Sequence, residues 1–224
     1  MSAPVALIVG AGPGISGAFA RSLRAAGYEV ALASRDRARL QPLADGMGAR
    51  AFTADAAQAA SLQQLFAEVD RTLGEPEVVL CNPSARVRGE LLSLDPAAVA
   101  SAVNTTAIGA FVVAQEAARR MLPKGRGAIF FTGATAGVKG FAKSSAFAMG
   151  KFALRGLAQS LARELSPAGI HVAHFVIDGG VQPSGSGEGK LTPEAIAQSY
   201  MAVLAQPPGA WSWEVELRSH GESF

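Results

Sequence analysis

The residues best suited to chemistry stand at the start of this 224-residue chain. Val5-Ala6-Leu7-Ile8-Val9 runs straight into Gly10-Ala11-Gly12-Pro13-Gly14-Ile15-Ser16-Gly17. Glycines placed after a buried strand allow a tight turn, let backbone approach a diphosphate, and let the next helix pack closely. The helix N-terminus then presents free N–H groups and a favourable dipole to negative charge. Gly12-x-Gly14-x-x-Gly17 has the spacing of a dinucleotide-binding turn, and its place between a strand and a helical pattern strengthens the match. A structural turn without ligand is the competing reading, because a chain with 25 glycines produces some matches by chance. Metal chemistry is not expected. His171, His174, His220 and Cys81 show no ligand spacing, and positions 171 and 174 fall on opposite faces of one strand.

The elements that must position this turn follow from hydrophobic pattern. Apolar runs at 29–34, 49–53, 78–81, 127–132 and 171–177 read as further strands, and 211–217 alternates like a last, half-exposed one. That pattern puts Trp211 and Trp213 on one strand face. Helical spacing covers 18–26, 38–44, 61–73, 96–121, 144–165 and 193–204, with Pro96 at a natural first helical position. Strands alternating with helices predict an α/β fold: one Rossmann-type, doubly wound parallel sheet of about seven strands, covered by helices on both faces. A single domain over 1–224 is expected, with ligand at the carboxyl ends of the strands. The Gly/Ser-rich stretch at 182–194 reads as a mobile substrate loop within it.

Composition narrows the function classes. Apolar residues make up 49% and charged residues 17%, which fits a well-cored globular protein and not a disordered one. A net charge of +2 with scattered Lys and Arg gives no argument for nucleic acid. The single cysteine excludes an internal disulfide framework and suits a reducing compartment. No apolar run is read as membrane-spanning and no signal peptide is seen, so a cytoplasmic location is expected.

Several residues together resemble the short-chain dehydrogenase/reductase (SDR) family over nearly the whole chain. Gly10 and Gly14 match its opening Gly-x-x-x-Gly-x-Gly element, with Ser16 in the third place. Asp55 matches the acidic residue at the adenine edge, and Asn82 an asparagine after the fourth strand. Asn104 matches the helical asparagine that orders water beside the active-site lysine, and Lys151 matches that lysine. Gly179 and Val181 match part of the element cradling the nicotinamide, with Asp178 in place of its proline. The resemblance implies cofactor contacts from Gly10, Gly12, Gly14, Ile15, Ser34, Arg35, Asp55, Asn82, Lys151, Gly179 and Val181.

The catalytic hydroxyls depart from the pattern. Phe147 stands where the family has its tyrosine, and Ala134 where it has its serine. A positioned general acid is worth roughly 10²–10⁴ in rate. Phenylalanine cannot donate a proton in any rotamer. Thr132, Thr135, Ser144 and Ser145 place other hydroxyls near the expected site, and Tyr200 could swing in with its helix. Asp178 reads as a turn residue bonding its own backbone, with a proton-donor role as the alternative.

Arg35, at the end of the second strand, is where the family separates its two cofactors. Arginine there accommodates a 2′-phosphate, so NADP(H) is favoured over NAD(H). Asp36, one position later, keeps NAD(H) open. The family also implies a homodimer or homotetramer through helices near 96–121 and 144–165. Ala107, Gly109, Ala110, Ala114, Ala117 and Ala118 would allow close helix approach there. Two functions follow. One is an NADP(H)-dependent oxidoreductase acting on a small carbonyl, enone or imine with an atypical site. The other is a catalytically silent cofactor-binding protein.

Overall fold

The computed structural model describes residues 3–183 and 189–221. Seven strands form one parallel sheet: β1 (Val5–Val9), β2 (Glu29–Ser34), β3 (Arg50–Thr53), β4 (Val78–Cys81), β5 (Gly127–Thr132), β6 (Ile170–Asp178) and β7 (Glu214–Arg218). Their order across the sheet is β3-β2-β1-β4-β5-β6-β7. β1 therefore lies between β2, with Val5 opposite Glu29, and β4, with Ala6 opposite Val78. The strands read as continuous apolar runs because both faces are covered.

On one face lie α1 (Ile15–Ala25), α2 (Arg37–Asp45) and α7 (Pro193–Leu204), packing Phe19, Leu23, Leu40, Ile196 and Tyr200 onto Ile8, Leu32 and Phe130. On the other lie α3 (Ala59–Thr72), α4 (Pro96–Val103), α5 (Gly109–Met121) and α6 (Ser145–Leu165). From that side Leu62, Phe66, Val113 and Leu154 meet Leu7, Val79 and Phe131. The expected doubly wound architecture is thus present. The 182–194 stretch is only partly a loop. Residues 184–188 lie outside the described residues, the Gln182 N–H donates to the Leu191 carbonyl, and Pro193 already begins α7.

Three expectations need correction. First, the 96–121 helix is not uniform: a π turn over Asn104–Ile108 separates α4 from α5. With its continuation to Lys124 the run has 29 residues and is long and apolar enough to cross a membrane by length and composition alone, contrary to the sequence reading. Here it packs against α3, α6, β4 and β5. Second, most of the small residues expected to face a partner face inward, while Ala118 lines a surface groove with Phe111 and Leu122. Ala110, Ala114 and Ala117 are buried in the core under the sheet, and Gly109 lies against the Ala56 carbonyl. What the helices expose is larger: Ile108, Phe111, Leu122, Met149 and Phe152. Third, the tryptophans precede β7 instead of sharing its face. Trp211 follows a short turn at Pro208–Ala210 and donates its indole N–H to the Gln206 carbonyl. Its ring stacks on His171 with centroids 4.8 Å apart. The Gln206 main-chain carbonyl and the His171 ring hold Trp211 outside β7, while the Trp213 carbonyl accepts from the His174 N–H.

The carboxyl end of β1 is fixed by one close approach. Gly10 has φ +79°, and a Cβ on it would lie 2.5 Å from the Pro83 backbone nitrogen. Asn82 Nδ2 donates to the Gly10 carbonyl at 3.0 Å, sewing the ends of β1 and β4 together. Substitution Gly10→Ala therefore combines left-handed strain with backbone overlap, and is expected to cost about 2–4 kcal/mol in chemical denaturation. A loss below about half a kcal/mol would show that this turn has room to relax.

Candidate active site

The open end of the sheet carries the glycine turn. Gly14 caps α1 with no side-chain bond, and no acidic residue stands in the first turn. A Cβ at Gly12 or Gly14 would meet nothing within 4 Å, so open space lies over both. Gly17 is the packing glycine: a Cβ there would be 2.8 Å from the Gly12 carbonyl. Ser16, in the third motif place, closes the turn by accepting from the Gly12 N–H at 3.0 Å. Ile15 begins α1 beside it. The space over Gly12 and the uncapped helix start together fit a diphosphate.

Next to this turn are two linked depressions. One, of about 460 Å³, is walled by Gly12, Ser34, Arg35, Asp36 and Arg39. The other, of about 370 Å³, shares Ser34 and Arg35 and adds Gly10, Asp55 and Asn82. Asp36 is occupied as the N-cap of α2, accepting from the Arg39 N–H at 2.9 Å. Asp55 accepts from the Ala57 N–H at 2.9 Å. Two arginines thus flank the first depression while its carboxylate serves a helix end.

A separate cavity of about 670 Å³ opens between the ends of β5 and β6. Ala134, Ser144, Phe147 and Gly179 line it, as do Arg86 and Arg88 from the loop after β4. Phe147 is 7% exposed and carries the Arg86 guanidinium over its ring at 4.5 Å. Lys151 lies beyond the same ring, its Nζ 5.9 Å from the centroid, and donates to the Thr132 carbonyl at 2.7 Å. Burial lowers the Lys151 ammonium to about 8, with the charge of Arg86 pushing the same way. Val181, at the same end of the sheet, packs on the core and bridges to Leu191.

Several expected site residues are engaged elsewhere. The Asn104 amide donates to the Ala57 carbonyl at 2.8 Å, in a groove with Ser145 and Met149 that does not include Lys151. Thr132 turns its hydroxyl away, to the Tyr200 hydroxyl at 3.0 Å. Tyr200 is fully buried and its phenol is pushed up by desolvation, so it is a core residue and not a mobile donor. Asp178 bonds the Thr135 hydroxyl at 2.6 Å and pairs with Arg218, instead of bonding its own turn. Ser144 and Thr135 remain as hydroxyls on the cavity wall. Among the described residues no group of three or more His, Cys, Asp or Glu side chains could hold a metal ion.

Sequence reasoning missed two features. Arg86 stacks across 61 positions of chain, and only its place after the carboxyl end of a strand hinted at a site. The other is a chain of polar groups that runs from the surface to a buried histidine. Arg155 grips Glu214 with two bonds of 2.7 and 2.6 Å, and Glu214 meets His174 Nδ1 at 3.0 Å. Burial drives His174 down to about 4, against the pull of Glu214. Its Nε2 has no hydrogen-bond partner and packs where a Cβ on Gly133 would lie.

Residues 4–185 match the family described as short chain dehydrogenase, and the chain belongs to that family. Among relatives, the 3-oxoacyl-acyl-carrier-protein reductase MabA of Mycobacterium avium is 30% identical over 164 residues, 73% of this chain and 62% of that protein. The match thus spans less than two thirds of that relative's length. An uncharacterised oxidoreductase of Staphylococcus aureus is 24% identical over 96% of both chains. A short-chain dehydrogenase structure from Rhodopseudomonas palustris superposes with a TM-score of 0.87 at 34% identity, covering 97% of this chain and 99% of that one. These likenesses place the chain within a family of dehydrogenases and reductases.

The neutral, buried His174 makes stability depend on pH. Its folded pKa lies below the unfolded value, so the unfolded chain binds more protons between about pH 6.5 and 4, and stability falls on acidification through that window. The shift corresponds to about 3 kcal/mol at full extent. Thermal melts of His174→Gln across the same window should fall less steeply than those of the wild type. Parallel slopes would assign the acid lability to other groups.

Proposed function

We propose that this protein is an NADP(H)-dependent oxidoreductase that transfers a hydride to or from a small carbonyl, enone or imine. The observation that carries this reading is the pairing of Arg35 and Arg39 around a depression continuous with the glycine turn, with Asp36 committed to capping α2. Arginine beside the adenosine ribose favours a 2′-phosphate, whereas NAD(H) recognition asks for a free carboxylate. Gly10, Gly12, Gly14 and Ile15 would hold the diphosphate. Asp55 and Asn82 line the adenosine groove, and Gly179 and Val181 flank the nicotinamide end.

When bound, the nicotinamide supplies or accepts the hydride. The chain's own residues must orient the substrate and manage the accompanying proton. Phe147 excludes water from one wall and offers no proton. Lys151, protonated below about pH 8, puts positive charge behind that wall and can bond the cofactor ribose after leaving the Thr132 carbonyl. Ser144 offers a hydroxyl without the acidity of a phenol, and the Thr135 hydroxyl already donates to Asp178. Substrates whose product anion is already stabilised, such as polarised C=C or C=N bonds, suit such a site. The same lack of an acid supports a second reading, a silent cofactor-binding protein. A homodimer or homotetramer through helices near 96–121 and 144–165 fits both readings, with Phe111 on α5 and Phe152 on α6 exposed for a second copy to cover.

Fluorescence titration with both cofactors tests the first half of the proposal. NADPH should bind more tightly than NADH, and Arg35→Ala should weaken NADPH roughly tenfold to a hundredfold while leaving NADH little changed. Equal losses for both cofactors would remove the 2′-phosphate role.

Turnover tests the second half, using NADPH oxidation against ketones, enones and imines. The wild type should be active on activated double bonds, and Lys151→Ala inactive. The pair Phe147→Tyr with Ala134→Ser should raise ketone reduction by roughly 10²–10⁴. A silent wild type beside an active double variant would favour the binding reading.

A further inference from the structure

The cavity beside Phe147 has a one-sided charge. Among the described residues its walls include Arg86, Arg88 and Lys143 and no Asp or Glu, while Ala134, Phe141 and Ile177 supply apolar surface. Lys143 is answered by Glu90 at 3.0 Å, outside the walls. Neither arginine forms an ion pair with a described carboxylate. A cation with no counter-charge among the described residues, facing a space large enough for a small molecule, is suited to recognising an anion.

Arg86 is also held in place. Its guanidinium stacks on the Phe147 ring at 4.5 Å, and Phe147 is itself packed into α6. A guanidinium held over a ring keeps the planar fork of N–H groups that grips a carboxylate with two parallel bonds. The loop that carries it is tied down as well. The Gly89 N–H donates to the Lys143 carbonyl at 3.1 Å, and Lys143 has φ +60°, the one non-glycine residue with positive φ among those described. Such strain persists where surrounding structure over-determines it, and it gathers at ligand clamps. Finally, Arg86 and Lys151 both approach the ring of Phe147, and the charge of Arg86 is felt at Lys151. Like charges in a partly dry site repel, and an anion in the cavity relieves that repulsion.

We propose that the substrate carries a carboxylate, bound by Arg86 with Arg88 beside it, and an apolar body seated against Phe147 and Ile177. This rests on the oxidoreductase reading and names the substrate class of that same cavity. Arg86 then does two things at once: it selects acids over their neutral analogues, and it sets the distance between the acid group and the reacting bond.

Calorimetric titration distinguishes the two levels of the argument. NADP+ is titrated first. Then 2-oxo and 3-oxo acids of four to eight carbons, and the methyl ester of each, are titrated into the NADP+-saturated protein. At least one acid should bind about tenfold or more tightly than its ester. Arg86→Met should erase that difference, Arg86→Lys should retain part of it, and both should bind NADP+ as the wild type does. Esters that bind as well as acids, acids that do not bind, or an Arg86→Met protein that binds acids normally would each overturn the assignment. Failure of NADP+ to bind would sink the cofactor reading instead. The same acid and ester titrations on the free protein would then decide the carboxylate site by the same criteria.

Discussion

The contact of Gly10 with the Asn82–Pro83 backbone is the constraint on which the open end of the sheet depends. β1 sits between β2 and β4, so chain leaving β1 turns to one side and chain leaving β4 turns to the other. Ligands of doubly wound sheets settle in the crevice such a reversal creates. Here the crevice stays narrow at its base, because Gly10 has no side chain and Asn82 is bonded to its carbonyl. The glycine turn, the arginine-flanked depression and the Asp55 groove all open from that point, and their mutual placement follows from it.

In the proposed reading, the site departs from its family pattern in a way that is chemically coherent. An aromatic ring without a hydroxyl stands where a phenol is expected, and two cations approach it, one from the loop after β4 and one from α6. A phenol beside a lysine works by giving up a proton; a bare ring between cations works only by shape and field. In the proposed reading the field at the ring comes from one guanidinium, whose charge does not change across the physiological range, and from Lys151, lowered to about 8 by burial.

Much of the fold was legible because a parallel sheet buried on both faces leaves an unambiguous trace. The runs at 5–9, 29–34, 78–81 and 127–132 match β1, β2, β4 and β5 at both ends. Legibility failed where side chains bonded each other out of pattern. Trp211 and Trp213 alternate like strand residues, but the indole of Trp211 found Gln206 and its ring found His171. Composition alone could not say which way Ala110, Ala114 and Ala117 point, since small residues suit close packing on either side of a helix. In the site, the motif positions were visible one by one. Contacts across long stretches of chain, Arg86 on Phe147 and His174 on Glu214, leave no local periodicity to read.

Thr132, the last residue of β5, has partners on both sides of the sheet. Its carbonyl receives Lys151 from α6, and its hydroxyl meets Tyr200 from α7. Two helices on opposite layers are therefore joined through a single amino acid. α7 begins directly after the segment at the cavity's end of the sheet, and α6 carries the lysine beside the cavity. Lys151 and Tyr200, side chains of opposite layers, share one residue as their common partner. The wall between the layers is thus also their linkage.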